Sequence, residues 1–171
     1  MKQLILGGVR SGKSRLAEQA AMDSGLSVTY VATALSGDAE MQQRIDKHIQ
    51  RRPDDWTVAE APYSLAACLK QYANADACLL VDCLTSWLTN LLCADDETRF
   101  EQELNALLDV LPALPGDIVF VSNETSMGIV PMGELTRRFC DEAGLLHQAI
   151  AQHCDRVVLS VAGLPHVLKD E

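Results

Sequence analysis

Several features are scarce or missing from this sequence. None of its six cysteines (Cys68, Cys78, Cys83, Cys93, Cys140 and Cys154) stands in a Cys-x-x-Cys pair. That excludes a zinc ribbon and a thioredoxin-like dithiol. No apolar run approaches the ~20 residues of a membrane span. The opening Met1-Lys2-Gln3-Leu4-Ile5-Leu6 reaches glycine too early for a secretory apolar core. The expected compartment is therefore the cytosol, with buried free thiols rather than disulfides. Positive charge is also scarce: 14 Lys and Arg stand against 24 Asp and Glu, a net charge of −10. A nucleic-acid binder needs a basic footprint to displace counterions, so that class is excluded. A nucleotide is not excluded, because a small phosphate needs only a local positive site.

What is present reads as a folded domain. Hydrophobic residues make up 48% of 171 residues, enough for a core in a single domain over 1–171. Strand-like runs fall at 4–6, 27–32, 56–59, 77–81, 118–121 and 156–161. Helical patterns fall at 14–22, 38–51, 62–72, 84–93, 97–111 and 134–153, with Pro62 suited to a first turn and Gly144 a candidate break. Several strands are apolar throughout, as in Ala77-Cys78-Leu79-Leu80-Val81. Such strands are buried on both faces, so the expected fold is α/β, a mainly parallel sheet covered by helices on each side.

The segment Gly7-Gly8-Val9-Arg10-Ser11-Gly12-Lys13-Ser14 fits G-x-x-x-x-G-K-[ST], with a strand before it and a helix after it. Glycines let the backbone turn its N–H groups inward around an anion. The helix N-terminus adds about half a positive charge. Lys13 would reach the β- and γ-phosphates, and the Ser14 hydroxyl would bind Mg²⁺. A P-loop enzyme also keeps a carboxylate at the end of a neighbouring strand to organise the metal. Asp82, after four apolar residues, fits that role or that of a helix N-cap.

The pattern at 38–52 puts Met41, Ile45, Ile49 and Arg52 on one helix face. His48 lies at the edge of that stripe, with Arg44 and Arg51 at i−4 and i+3. Cations nearby disfavour imidazolium, which suits a neutral nucleophile; a core-edge histidine beside solvated arginines gives the same pattern.

Five segments together resemble a known family. They are Gly7 to Arg15 with Tyr30-Val31-Ala32-Thr33; Glu40-Met41 through Arg44-Ile45 and His48 to Arg52-Pro53 and Trp56; Asp82-Cys83-Leu84-Thr85 through Thr89-Asn90-Leu91-Leu92; Ser122-Asn123-Glu124 with Met127-Gly128-Ile129-Val130-Pro131; and Arg138-Phe139, Asp141, Gly144 and Gln148. A terminal Gly163-Leu164-Pro165 tail is consistent with them. They resemble the bifunctional adenosylcobinamide kinase/adenosylcobinamide-phosphate guanylyltransferase family of cobalamin biosynthesis, over nearly the whole chain.

The resemblance implies two reactions. ATP or GTP phosphorylates adenosylcobinamide. A histidine, matched by His48, then takes GMP from GTP and passes it to adenosylcobinamide phosphate. It implies that residues 7–14 cradle phosphates and that Ala32, Thr33 and Ala34 line the nucleotide site. Ile49, Gln50, Arg51, Arg52, Glu60 and Asp82 become further nucleotide contacts, although Glu60 also reads as a surface carboxylate. It implies a RecA-like P-loop fold and a homotrimer. Lys47 stands where some members carry a second histidine, Asp82 where some carry Glu, Thr125-Ser126 where relatives have Val-Gly, and His147 where Asn is familiar. Glu124 reads either as a proton acceptor for the alcohol or as a turn carboxylate. His147, His153 and His166 lack metal-ligand spacing. A monofunctional small-molecule kinase and a nucleotide-binding regulatory module are the competing classes.

Half of the basic residues gather in two places despite the acidic total. Arg10, Lys13 and Arg15 surround the P-loop, and Arg44, Lys47, Arg51 and Arg52 surround His48.

Overall fold

The computed structural model describes residues 1–35, 53–94 and 96–171. The expected helix at 38–51, with His48, Ile49, Gln50, Arg51 and Arg52, lies outside the described residues. The strands are β1 (Lys2–Gly7), β2 (Ser27–Ala32), β3 (Thr57–Glu60), β4 (Ala77–Asp82), β5 (Asp117–Asn123), β6 (Arg156–Val161) and β7 (Leu164–Asp170). The helices described are α1 (Lys13–Asp23), α2 (Leu65–Tyr72), α3 (Leu84–Cys93), α4 (Glu97–Val110) and α5 (Glu134–His153), with a single 3₁₀ turn at Leu111–Ala113.

The strands form one seven-stranded sheet in the order β3-β2-β4-β5-β1-β6-β7. All neighbours are parallel except β6 and β7. Alternation along each strand divides the core in two. Leu4, Leu79, Val81, Ile118 and Phe120 face one way, packing with Leu69 of α2, Trp87 and Leu91 of α3, Leu107 of α4 and Ile150 of α5. Ile5, Tyr30, Leu80, Val119 and Val121 face the other way, against Ala17 and Ala21 of α1. The alanines let α1 lie close to the sheet. Both faces are thus dry at the centre, which is why β1, β4 and β5 carry no polar alternation.

Four expectations need correction. The helix expected from Pro62 begins at Leu65. The Pro62 carbonyl accepts a hydrogen bond from Asn90 Nδ2, and the Tyr63 carbonyl accepts one from the Trp87 indole, so neither is spent on a first turn. Gly144 does not break α5, which runs for 20 residues; an interior glycine costs about 1 kcal/mol but leaves the hydrogen-bond ladder intact. Residues 164–170, expected as a tail, form a seven-residue antiparallel edge strand. Ala162 (φ 53°) and Gly163 (φ 79°) supply two successive left-handed residues, the geometry of a tight hairpin turn. Finally, Asp82 does not sit on the strand beside β1, because β5 lies between them.

Candidate active site at the carboxyl edge of the sheet

The sheet's register collects the polar residues at one edge. Gly7 of β1 pairs with Asn123 of β5 and Ser160 of β6, and Ala32 of β2 pairs with Asp82 of β4 and Glu60 of β3. Parallel sheets with helical crossovers open their ligand crevices along this carboxyl edge.

The P-loop leaves β1 at Gly7 and enters α1 at Lys13. Ser11 N–H donates to the Gly8 carbonyl at 3.2 Å, and Arg10 (φ 56°) and Gly12 (φ 95°) are left-handed. The loop is held from outside. The Ser11 carbonyl accepts from Gly163 N–H at 2.7 Å and from Ser160 Oγ at 2.8 Å. A Cβ on Gly7 would lie 2.3 Å from Ser11 Oγ, and one on Gly12 would lie 2.9 Å from Gly163 Cα. Close approach therefore requires both glycines, and the left-handed backbone angle requires Gly12 as well. Gly8, Val9 and Arg10 are exposed at the tip. Lys13 Nζ donates to the Gly8 carbonyl at 3.2 Å, closing over the loop. Burial lowers the Lys13 pKa, with Cys83 and Asp82 countering it. Ser11 Oγ is buried and has no hydrogen-bond partner among the described residues.

Asp82 is half-buried at the end of β4 and accepts a hydrogen bond from Tyr30 OH at 3.1 Å. It does not cap α3, whose N-terminal flanking residue is Cys83, without a side-chain cap bond. Its charge is felt at Lys13. Burial, reinforced by Asp82, pushes the Cys83 thiol up, so it stays neutral between the Thr85 and Ser86 hydroxyls, each 3.1 Å away. Thr85 Oγ1 in turn accepts from Asn123 Nδ2 at 3.0 Å.

The segment after β2 is braced by Asn90, to which the sequence assigns no role beyond the family resemblance. Asn90 Nδ2 donates to the Thr33 carbonyl at 2.7 Å and the Pro62 carbonyl at 2.9 Å, tying the ends of β2 and β3 together. Thr33 is fully buried, and its hydroxyl donates to the Cys83 carbonyl at 2.7 Å. Its N–H donates to the Asp82 carbonyl at 3.4 Å. Each polar group of Thr33 is thus engaged internally, while Ala32 and Ala34 are half-buried and Glu60 is exposed at the rim. The signal for Asn90 in the sequence is an amide set between apolar Leu88 and Leu91-Leu92.

Among the described residues no group of three or more His, Cys, Asp or Glu is placed to hold a metal ion. Mg²⁺ does not need one, since it keeps waters and takes one or two protein oxygens together with substrate phosphates. The Ser14 hydroxyl and Asp82 carboxylate are hard oxygen donors of that kind, and they fit.

Past Glu124 the chain becomes apolar and exposed. Met127, Ile129, Val130 and Met132 are 76%, 97%, 74% and 96% exposed. A cleft of about 140 Å³ lies between this segment and the start of α5, lined in part by Ile129, Pro131, Arg137 and Cys140. No described helix is long and apolar enough to cross a membrane.

Comparisons with known proteins agree with this layout. Solved P-loop structures share the fold at low identity. The RadB recombinase matches with TM-score 0.52 and 16% identity over 92% of this chain and 73% of its own. The EscN ATPase of the enteropathogenic E. coli type III secretion system matches with TM-score 0.55 and 9% identity over 94% of this chain and 43% of its own. Sequence relatives are much closer. The bifunctional adenosylcobalamin biosynthesis protein CobP of Pseudomonas aeruginosa is 60% identical over 100% of this chain and 99% of its own length. The corresponding CobU protein of Escherichia coli is 38% identical over 96% of this chain and 97% of its own. The family model for cobinamide kinase / cobinamide phosphate guanyltransferase matches residues 3–168, and the chain belongs to that family of bifunctional cobalamin-biosynthesis enzymes.

Proposed function

We propose that this protein carries out two successive transfers on one P-loop core. In the first, the γ-phosphate of ATP or GTP passes to the hydroxyl of adenosylcobinamide. In the second, His48 attacks the α-phosphate of GTP, pyrophosphate leaves, and GMP passes from the histidine to adenosylcobinamide phosphate, giving adenosylcobinamide-GDP. Splitting the second reaction at His48 divides the displacement into two steps, the first of which uses a neutral nucleophile. The observation that carries the proposal is the intact P-loop with Asp82 across the edge, in a chain 60% identical end to end to CobP.

In this proposal Gly7 to Ser14 wrap the phosphates, and Lys13 neutralises charge that builds on the β- and γ-oxygens. Ser14 and Asp82 would hold Mg²⁺, which supplies further neutralisation of the phosphates when bound. Ala32, Ala34 and Glu60 border the nucleotide from the β2 and β3 side, with Thr33 setting their position. Ile49, Gln50, Arg51 and Arg52 would reach it from the segment carrying His48. The assembly is proposed to be a homotrimer in the cytoplasm, with no nucleic-acid partner.

The test is covalent labelling with GTP carrying a label on its α-phosphate. The wild type is expected to retain label at His48 and release pyrophosphate, and His48→Asn to retain none. Equal labelling of the variant would remove His48 from the mechanism. Phosphate transfer to adenosylcobinamide with no GMP adduct on the wild type would reduce the protein to a kinase.

A further inference from the structure

At the end of β5, beside the P-loop strand, three polar residues converge that no phosphate contact accounts for. Glu124 N–H donates to the Gly7 carbonyl at 3.0 Å, so Glu124 stands immediately beside the start of the P-loop. Its side chain is 12% exposed. Oε1 accepts from Ser126 N–H at 2.6 Å and also from the Ser126 hydroxyl. Oε2 lies 4.0 Å from His147 Nδ1. That is too long for a direct hydrogen bond, and Oε2 accepts none from a described residue. His147, buried on α5, places Nε2 2.7 Å from the Oγ of fully buried Ser122. Burial lowers the His147 pKa, against the pull of Glu124, so the ring is neutral. When Ser122 donates to Nε2, the single ring proton sits on Nδ1 and faces Oε2.

A carboxylate that serves only to close a turn needs one oxygen. Here the first oxygen closes the Ser126 turn and the second faces His147 Nδ1, on a residue whose backbone is bonded to the start of the P-loop. Sequestering a carboxylate from water is costly unless its charge is used or fully hydrogen-bonded. We propose that Glu124 is the general base of the phosphorylation step, positioned by the Ser126 hydrogen bonds and by the His147 Nδ1–H dipole that faces Oε2 across 4.0 Å. This rests on the kinase reading above. The acceptor hydroxyl gives its proton to Glu124 Oε2 as its oxygen bonds to the γ-phosphorus. The bond from that phosphorus to the β,γ-bridging oxygen breaks, and the nucleoside diphosphate leaves with the electron pair. No further reactant is required.

The test uses the full chain with adenosylcobinamide and ATP, following phosphate transfer to the alcohol. Glu124→Gln keeps the shape and the bond from Ser126 N–H. It is expected to lower kcat about 100-fold, the usual contribution of a positioned base, with little change in the nucleotide KM. His147→Leu is expected to lower kcat about tenfold. His147→Asn, whose amide can stand in for Nδ1–H, is expected to restore most of that loss. A Glu124→Gln enzyme within about threefold of wild type in kcat overturns the base. His147→Asn as impaired as His147→Leu overturns the positioning role, because a packing residue gains nothing from the amide. A wild type that transfers no phosphate overturns the kinase reading and the base with it. A wild type that does, matched by Glu124→Gln, overturns the base alone.

Discussion

The two loops at the carboxyl edge are built in opposite ways. The P-loop is small, glycine-rich and clamped: Gly163 and Ser160 bond the Ser11 carbonyl, and Gly7 and Gly12 leave no space for a Cβ. The segment after Glu124 is apolar and open, tethered by the Ser126 turn at one end and by Arg137 on the Pro131 and Met132 carbonyls at the other. A loop that must present N–H groups to phosphate gains from rigidity, since its donors need no reorganisation when charge develops. Nothing comparable constrains Ile129 or Met132, whose side chains are almost wholly exposed.

The largest test of this contrast is Gly12→Ala. The added methyl meets Gly163 Cα at 2.9 Å, on a residue at φ 95°. A loss of at least about 2 kcal/mol in urea unfolding is expected, together with loss of nucleotide binding. A variant that binds nucleotide normally would show that the hairpin does not clamp the loop. A smaller effect comes from acid. Burial lowers the His147 pKa below the usual imidazole range, so the unfolded chain takes up its proton more readily. The stability this residue contributes is present above pH ~6.5 and is lost as pH falls through the unfolded pKa towards the lower folded one. His147→Asn should flatten that part of the stability curve, and an unchanged slope would break the assignment. The smallest effect belongs to the open loop. Ile129→Ser should change stability by no more than about 0.5 kcal/mol. A larger, concentration-dependent loss would mean that another copy of the chain covers this loop, as the proposed trimer allows.

Legibility in the sequence followed range. The P-loop, Asp82 and the central strands were read from spacing and apolar runs, because each depends on neighbours within a few residues. The strand at 27–32 and the helix at 84–93 coincide with β2 and α3. His48 was different. Its helix pattern also fitted a bland core-edge histidine, and only the family resemblance favoured a nucleophile. The internal bonds of Thr33 are not legible in the sequence, because Asn90 reaches it from 57 residues away. His147 was set aside for lacking metal spacing, since no local pattern reveals that α5 brings it to Glu124.

By itself the sequence determined an acidic α/β chain with a P-loop motif, a carboxylate at the end of an apolar strand and a family. Those depend on residue type and short spacing, which set backbone angles and burial period directly. The tertiary structure decided the rest. Strand order put β5 between the P-loop strand and Asp82, and it turned the last seven residues of the sheet into the hairpin partner of β6. It brought Ser160 to Ser11 across 149 residues and His147 to Ser122 across 25. Such pairings arise only when helices and loops pack onto the finished sheet, because they join segments far apart in the chain and belong to no segment alone.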